Sequence, residues 1–268
     1  MASASAQQGN YLPVNGIRMY YEIHGTGHPL VLIHGGGSTL YTTFGKILPL
    51  LSQKYKVIGV ELQAHGHTSD RNAPETFEQD ADDVAELLKQ LNISNADIFG
   101  FSNGGNTAMQ MAIRHPERVR KLIIASAFYK REGMQPWFWD FMKDANINHM
   151  PHIYKDVFLE INPGNLDGLQ AMHDKDLRRM QTFKDWKDSD LKSIKAPALL
   201  IVGDQDAVRI EHAIEMHHLL ANSRLTILPA THGSYIAEIM TPETDIRIVE
   251  GVVAMIEEFL TQPIIKSN

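Results

Sequence analysis

The chain predicts an α/β fold: a doubly wound, mostly parallel sheet with helices on both faces and a small helical insertion. Three observations carry this expectation. Short apolar runs alternate with segments of helical period along most of the 268 residues. The residues with distinctive chemistry fall just beyond the ends of those apolar runs, where parallel sheets bind ligands. The alternation then stops between Phe128 and about Ser189.

Taken in order, Gly16 to Ile23 reads as a hairpin-edged start, and Pro29 to Ile33 as a short buried strand running into His34-Gly35-Gly36-Gly37. Lys56 to Glu61 is a second buried run. Phe77 to Leu91 places Val84, Leu87, Leu88 and Leu91 at the spacing of an amphipathic helix. Ala96, Ile98 and Phe99 form a strand that enters Gly100-Phe101-Ser102-Asn103-Gly104-Gly105, and Thr107 to Arg114 leads out as a helix. Strands follow at Val119 to Ala125, Ala198 to Val202 and Arg224 to Leu228, with helices from Glu211 to Leu220 and from about Thr244 to Leu260. The expected organisation is a flexible leader over 1–10, a core over 11–127 and 190–262, a helical insertion over 128–189 and a tail over 263–268. The insertion is rich in aromatic and Met side chains, which suit either its own packing or a lid over an apolar cleft.

Composition narrows the function. A net charge of -7 without a basic cluster excludes a nucleic-acid partner. No cysteine is present, which excludes disulfides, thiolate metal sites and a cysteine nucleophile. No apolar run approaches the ~20 residues needed to span a bilayer. Ala4-Ser5-Ala6 resembles the end of a removed signal peptide, while a plain disordered leader fits as well, so the compartment stays open. His212, Glu215, His217 and His218 lack metal-ligand spacing and read as a solvated helix face. Neither a metal nor a nucleotide cofactor is implied.

The strand, sharp turn and helix around Ser102 would hold a hydroxyl out toward substrate, with Gly100 and Gly104 letting strand and helix approach. A serine hydroxyl needs a base, and the base needs an orienting carboxylate. Downstream strands end at Gly203-Asp204-Gln205-Asp206 and at Thr231-His232-Gly233, giving the order Ser, Asp, His.

On these residues the chain resembles the α/β-hydrolase superfamily, in particular esterase-like members with a helical cap after the sixth strand, over about residues 12 to 262. The resemblance implies an eight-stranded sheet and a catalytic set of Ser102, Asp206 and His232, with Asp204 as the rival acid. It implies an oxyanion hole built from the backbone of Asn103 and of the His34 to Gly37 loop, at Gly36 or its neighbour Gly37, with His34 bracing the loop. Trp137, Phe138 and Trp139 are the candidate cap residues at the substrate, together with Gly37. Glu61, Ala64 and Thr68 depart from the family's usual stretch after the fourth strand.

The expected function is a cofactor-free serine hydrolase that cleaves a small carboxylic ester through an acyl-enzyme, as a monomer or homodimer without a membrane partner. Carbon-carbon, lactone or amide hydrolysis on the same residues is the enzymatic alternative. A ligand receptor that keeps the fold with little turnover is the alternative outside enzymes.

Overall fold

A computed structural model describes residues 9–241 and 244–264. Strands β1 (Asn10–Val14), β2 (Ile17–His24), β3 (His28–Ile33), β4 (Tyr55–Val60), β5 (Ala96–Phe101), β6 (Val119–Ala125), β7 (Ala198–Gln205) and β8 (Ser223–Thr231) form one sheet in the order β1-β2-β4-β3-β5-β6-β7-β8. Only β2 runs antiparallel to its neighbours, and the other pairings are parallel. The fold is therefore the eight-stranded α/β-hydrolase fold. The central strands β3, β5 and β6 are almost wholly buried because helices cover both faces. Asn10 already pairs with Tyr21, so β1 begins inside the stretch expected as leader. Residues 1–8 and 265–268 lie outside the described residues.

Helices α3 (Phe77–Gln90) and α4 (Asn103–Arg114) pack on one face of the sheet, and α1 (Leu40–Phe44), α2 (Leu48–Leu51) and α10 (Ile246–Thr261) on the other. Helix α3 starts where Thr76 accepts a hydrogen bond from Gln79 N, and it buries Phe77, Ala81, Val84, Leu87 and Leu88, one stripe at helical spacing. The short α1 and α2 have no sequence signature of their own, since a helix of four or five residues leaves no period to read. Lys121 lies inside the core with 1% exposure, and its ammonium donates to the carbonyls of Phe259, Leu260 and Gln262. It thus closes the C-terminus of α10, where carbonyls have no intrahelical partner.

Between β6 and β7 the chain carries helices α5 (Pro136–Asp144), α6 (His152–Ile161), α7 (Leu166–Gln181) and α8 (Asp188–Ser193). The first three lie over the carboxyl edge of the sheet and pack mainly on one another and on loops. Helix α8 instead buries Leu191 in the main core with α9 (Ile210–Leu219), so Asp188 and Ser189 go with the core rather than the insertion. Among the described residues no helix is long and apolar enough to cross a membrane.

Candidate active site

Ser102 stands between β5 and α4 with φ 53° and ψ -124°, a conformation that costs a non-glycine residue energy and persists because its surroundings impose it. Its amide donates to Ala125 O at 2.9 Å. A Cβ on Gly100 would strike the Gly104 backbone, and one on Gly104 the carbonyls of Ile33 and His34, so neither position accepts a side chain.

Three side chains distant in sequence meet here. Ser102 Oγ lies 3.1 Å from His232 Nε2, and His232 Nδ1 lies 2.7 Å from Asp206 Oδ1. Asp206 is fixed from several directions. Its Oδ2 accepts from Ser126 Oγ at 2.5 Å and its Oδ1 from Val208 N at 3.2 Å, while Tyr235 OH contacts Ser126 Oγ at 2.7 Å. Burial pushes the Asp206 carboxyl up, but the His232 charge and these donors hold it below the usual carboxylate range. Burial lowers His232 in turn, and the Asp206 carboxylate more than offsets this, leaving the imidazole raised. Such an arrangement can draw the proton from the serine hydroxyl and hold the resulting imidazolium. Asp204 plays no part in it: this exposed carboxylate accepts from Ala230 N at 3.0 Å.

A cavity of about 320 Å³ opens on Ser102 and Asn103 and on Gly36 and Gly37 of the loop after β3. Phe138, Phe141 and Met142, on one face of α5 at i, i+3 and i+4, line its far side together with Ala145 just past the helix end. Of the three aromatic residues expected at the substrate, only Phe138 reaches it. Trp137 is turned out to 58% exposure. Trp139 packs on Phe128 under the Arg131 guanidinium and donates its indole N–H to Arg131 O. The other walls come from Met150, Tyr154, Leu177 and Met180, with polar atoms from Asn146, His149, His173 and Asp176. Among the described residues no lysine or arginine lines the cavity.

His34 is fully buried, donating from Nδ1 to Gly35 O and accepting from Leu62 N at Nε2. This bracing is the role expected of it. The residues that depart from the family stretch are also locally satisfied. Glu61 accepts from the His67 backbone and ring, Thr68 Oγ1 joins Glu61 O to Tyr20 N, and Ala64 sits at φ 63°. His212 departs from the expected solvated face. It is 4% exposed, stacks on Tyr129 and accepts the Tyr129 amide at Nε2, a core role.

Behind the cavity lies a buried charge cluster that the sequence reading did not identify. Asp176 of α7 accepts from Gly37 N at 2.5 Å, from His65 Nε2 at 2.9 Å and from Arg179. Arg179 also donates to Asp80 at 2.7 Å and stands 3.9 Å from Glu75. Burial alone would lower His65, yet the Asp176 carboxylate pushes it up to about 9. Burial, aided by the Asp176 charge, pushes Glu75 up to about 8. Both ring nitrogens of His65 face acceptors, Nδ1 the Gln63 carbonyl and Nε2 the Asp176 carboxylate, which favours the doubly protonated ring. His65, Glu75 and Asp176 each bring a ligand atom within 4.8 Å of the others, but the cation seated among these acids is the Arg179 guanidinium.

Comparison with known proteins agrees with this architecture. Residues 28–158 match the family described as alpha/beta hydrolase fold. A 2-hydroxymuconate semialdehyde hydrolase of a Pseudomonas species is 36% identical over 124 residues, 45% of this chain and 44% of that protein, so this match spans less than half of the relative. The human serine hydrolase BPHL is 29% identical over 234 residues, 81% of this chain and 77% of that one. Among solved structures, an enol-lactonase from Burkholderia xenovorans superposes with a TM-score of 0.72 at 23% identity, covering 94% of this chain and all of the other. Sheet order, serine elbow and these matches together show that the chain has the α/β-hydrolase fold.

Proposed function

We propose that the protein is a serine hydrolase acting on small, uncharged carboxylic esters. Ser102 attacks the carbonyl, His232 takes the proton and returns it to the leaving alcohol, and Asp206 holds the imidazole in the tautomer this requires. Water then releases the acyl group by the same route. The observation that carries this reading is the unbroken contact chain from Ser102 Oγ through His232 to a buried carboxylate.

Two backbone donors suit the oxyanion. Asn103 N–H belongs to the first turn of α4, where amides lack an intrahelical acceptor and the helix dipole favours negative charge. In the loop after β3, Gly35 N–H donates to Thr43 Oγ1 and Gly37 N–H to Asp176, which leaves Gly36 as the donor for the cleft. We read the three insertion helices α5 to α7 as the cap that closes this cleft.

The wall chemistry bears on the substrate. A cavity of about 320 Å³ is near the small end of ligand pockets, which suits short to medium acyl groups. A muconate or a dienoate carries its own carboxylate, and here it would find no lysine or arginine on the wall and the Asp176 carboxylate on it. This favours neutral esters, or neutral lactones, over the substrate named for the 2-hydroxymuconate semialdehyde hydrolase.

A matched panel tests the reading. p-Nitrophenyl butyrate should exceed p-nitrophenyl hemisuccinate in kcat/KM by about tenfold or more, the cost of desolvating a carboxylate on a wall that gives it no lysine or arginine partner. A 2-hydroxy-6-oxo-dienoate should turn over more slowly than either. A dienoate cleaved faster than every ester would replace this reading with carbon-carbon hydrolysis. A single round of fluorophosphonate labelling without sustained ester turnover would favour a receptor.

A further inference from the structure

We propose that Asp176, carried in by helix α7, is the positioning residue of the oxyanion loop. Its carboxylate fixes the Gly36–Gly37 peptide and through it the backbone of Gly36, whose own N–H, in the preceding peptide, is thereby held toward the developing oxyanion, and the hole is complete only while the cap is seated. This rests on the serine-hydrolase reading above.

The geometry is specific. Asp176 Oδ2 takes the Gly37 N–H at 2.5 Å and the His65 Nε2 proton at 2.9 Å, and Oδ1 faces Asn103 Nδ2 at 3.4 Å. His65 Nε2 also lies 3.1 Å from Gly37 N, but Nδ1 faces Gln63 O and Nε2 faces the Asp176 carboxylate, both acceptors, so each ring nitrogen is a donor and the nearer Asp176 Oδ2 takes that amide. A Cβ placed on Gly36 would come within 3.1 Å of Asp176 Oδ2, which puts the carboxylate against the loop at the residue that supplies the donor. One cap side chain thus ties together the oxyanion loop, the loop after β4 and the residue that follows the nucleophile. Arg179, paired with Asp80 and Asp176, anchors α7 behind it. Of the other cap contacts, Lys175 with Asp70 and Asn162 with Gly66 O hold the cap down away from the loop after β3, while Tyr154 reaches Glu238 and, on that loop, the Ser38 side chain rather than the Gly36–Gly37 peptide.

The test compares wild type with D176A, D176N and K175A, using the rate constant for fluorophosphonate labelling and the kcat and KM for a p-nitrophenyl ester. D176A should slow both labelling and kcat by about 10- to 100-fold, less than the ~10²- to 10³-fold lost on deleting an oxyanion donor outright. KM should change by no more than about threefold, and labelling should still reach one per chain, since the nucleophile and base are intact. D176N should recover part of the rate, because an amide oxygen in the Oδ2 place still accepts Gly37 N–H and His65 Nε2–H, while the NH₂ that takes the Oδ1 place meets the Arg179 guanidinium and limits the rescue. K175A breaks a surface pair and should stay within about twofold of wild type. Should D176A not fold, D176S serves as the truncation with the same expected loss.

Wild-type rates in the truncations, a loss confined to KM, or a K175A as slow as D176A would overturn the assignment. Labelling reads the loop whatever the natural substrate is, so its rate decides the role of Asp176 even where no ester turns over. Failure of the hydrolase reading shows separately, as labelling away from Ser102.

Discussion

Replacing Ser102 with alanine is expected to lower kcat on a p-nitrophenyl acyl ester by about 10⁴- to 10⁶-fold, the range lost when the nucleophile of such a set is removed. The fold should survive. The Ser102 hydroxyl makes its hydrogen bond to His232, whose side chain is a third exposed, so no buried partner is orphaned. The strain at φ 53° remains in the variant, because alanine meets the same steric conflict there. Thermal unfolding should therefore stay within about 1 kcal/mol of wild type. Kinetics and a melting curve on the same preparation check this, and unchanged turnover would remove Ser102 from the mechanism.

The second large effect separates two acids two residues apart. Asp206→Asn should lower kcat by about 10⁴-fold, since the amide NH₂ presented to His232 Nδ1 leaves the proton on Nε2, where the base is needed. Asp206 Oδ1 and Oδ2 accept from Val208 N and Gly203 N respectively, so the NH₂ of asparagine must face a backbone donor whichever way it turns. Stability should fall by about 1–3 kcal/mol from this unpaired buried donor. Asp204→Asn keeps the oxygen that accepts Ala230 N and should lie close to wild type in both measures. The pH profile supplies an independent reading. Activity requires neutral His232 and so falls as pH drops through its pKa, which the Asp206 carboxylate raises above the ordinary value. In D206N that charge is gone, and the acid limb of the residual activity should move to lower pH. Equal losses in D204N and D206N, or an unmoved acid limb, would count against Asp206 as the orienting acid.

Why some of this was legible in the sequence and some not follows from the range of the interactions. Ser102, Asp206 and His232, the proposed nucleophile, acid and base, each sit in a turn or loop just past a strand, where small residues and a fixed chain order mark the turn locally. Helices α3, α4 and α10 and the parallel strands were legible for the same reason, since each carries its own period. Asp176 gave no such sign. Its partners are Gly37 and His65, 139 and 111 positions away, and nothing near Asp176 in the chain distinguishes it from the acids around it. Ser126, which holds Asp206 from a distance of 80 residues, is in the same position.

The cap aromatics went astray for a different reason. Adjacent residues on a helix point about 100° apart, so Trp137, Phe138 and Trp139 cannot all face one cavity. The spacing of Phe138, Phe141 and Met142 is the periodic signal that marks the lining face. His212 was misplaced because the helix carrying it packs on Tyr129, which lies across the insertion in sequence.

The account depends most on a covalent acyl group forming at Ser102. Rapid acid quench of wild-type protein mixed with p-nitrophenyl butyrate, followed by peptide mass spectrometry, tests this directly. The expected result is a butyryl adduct on the peptide containing Ser102 that appears with the first equivalent of nitrophenol and decays as substrate runs out. Sustained nitrophenol release in which Ser102 is never acylated, or in which the adduct sits on another residue, would contradict it.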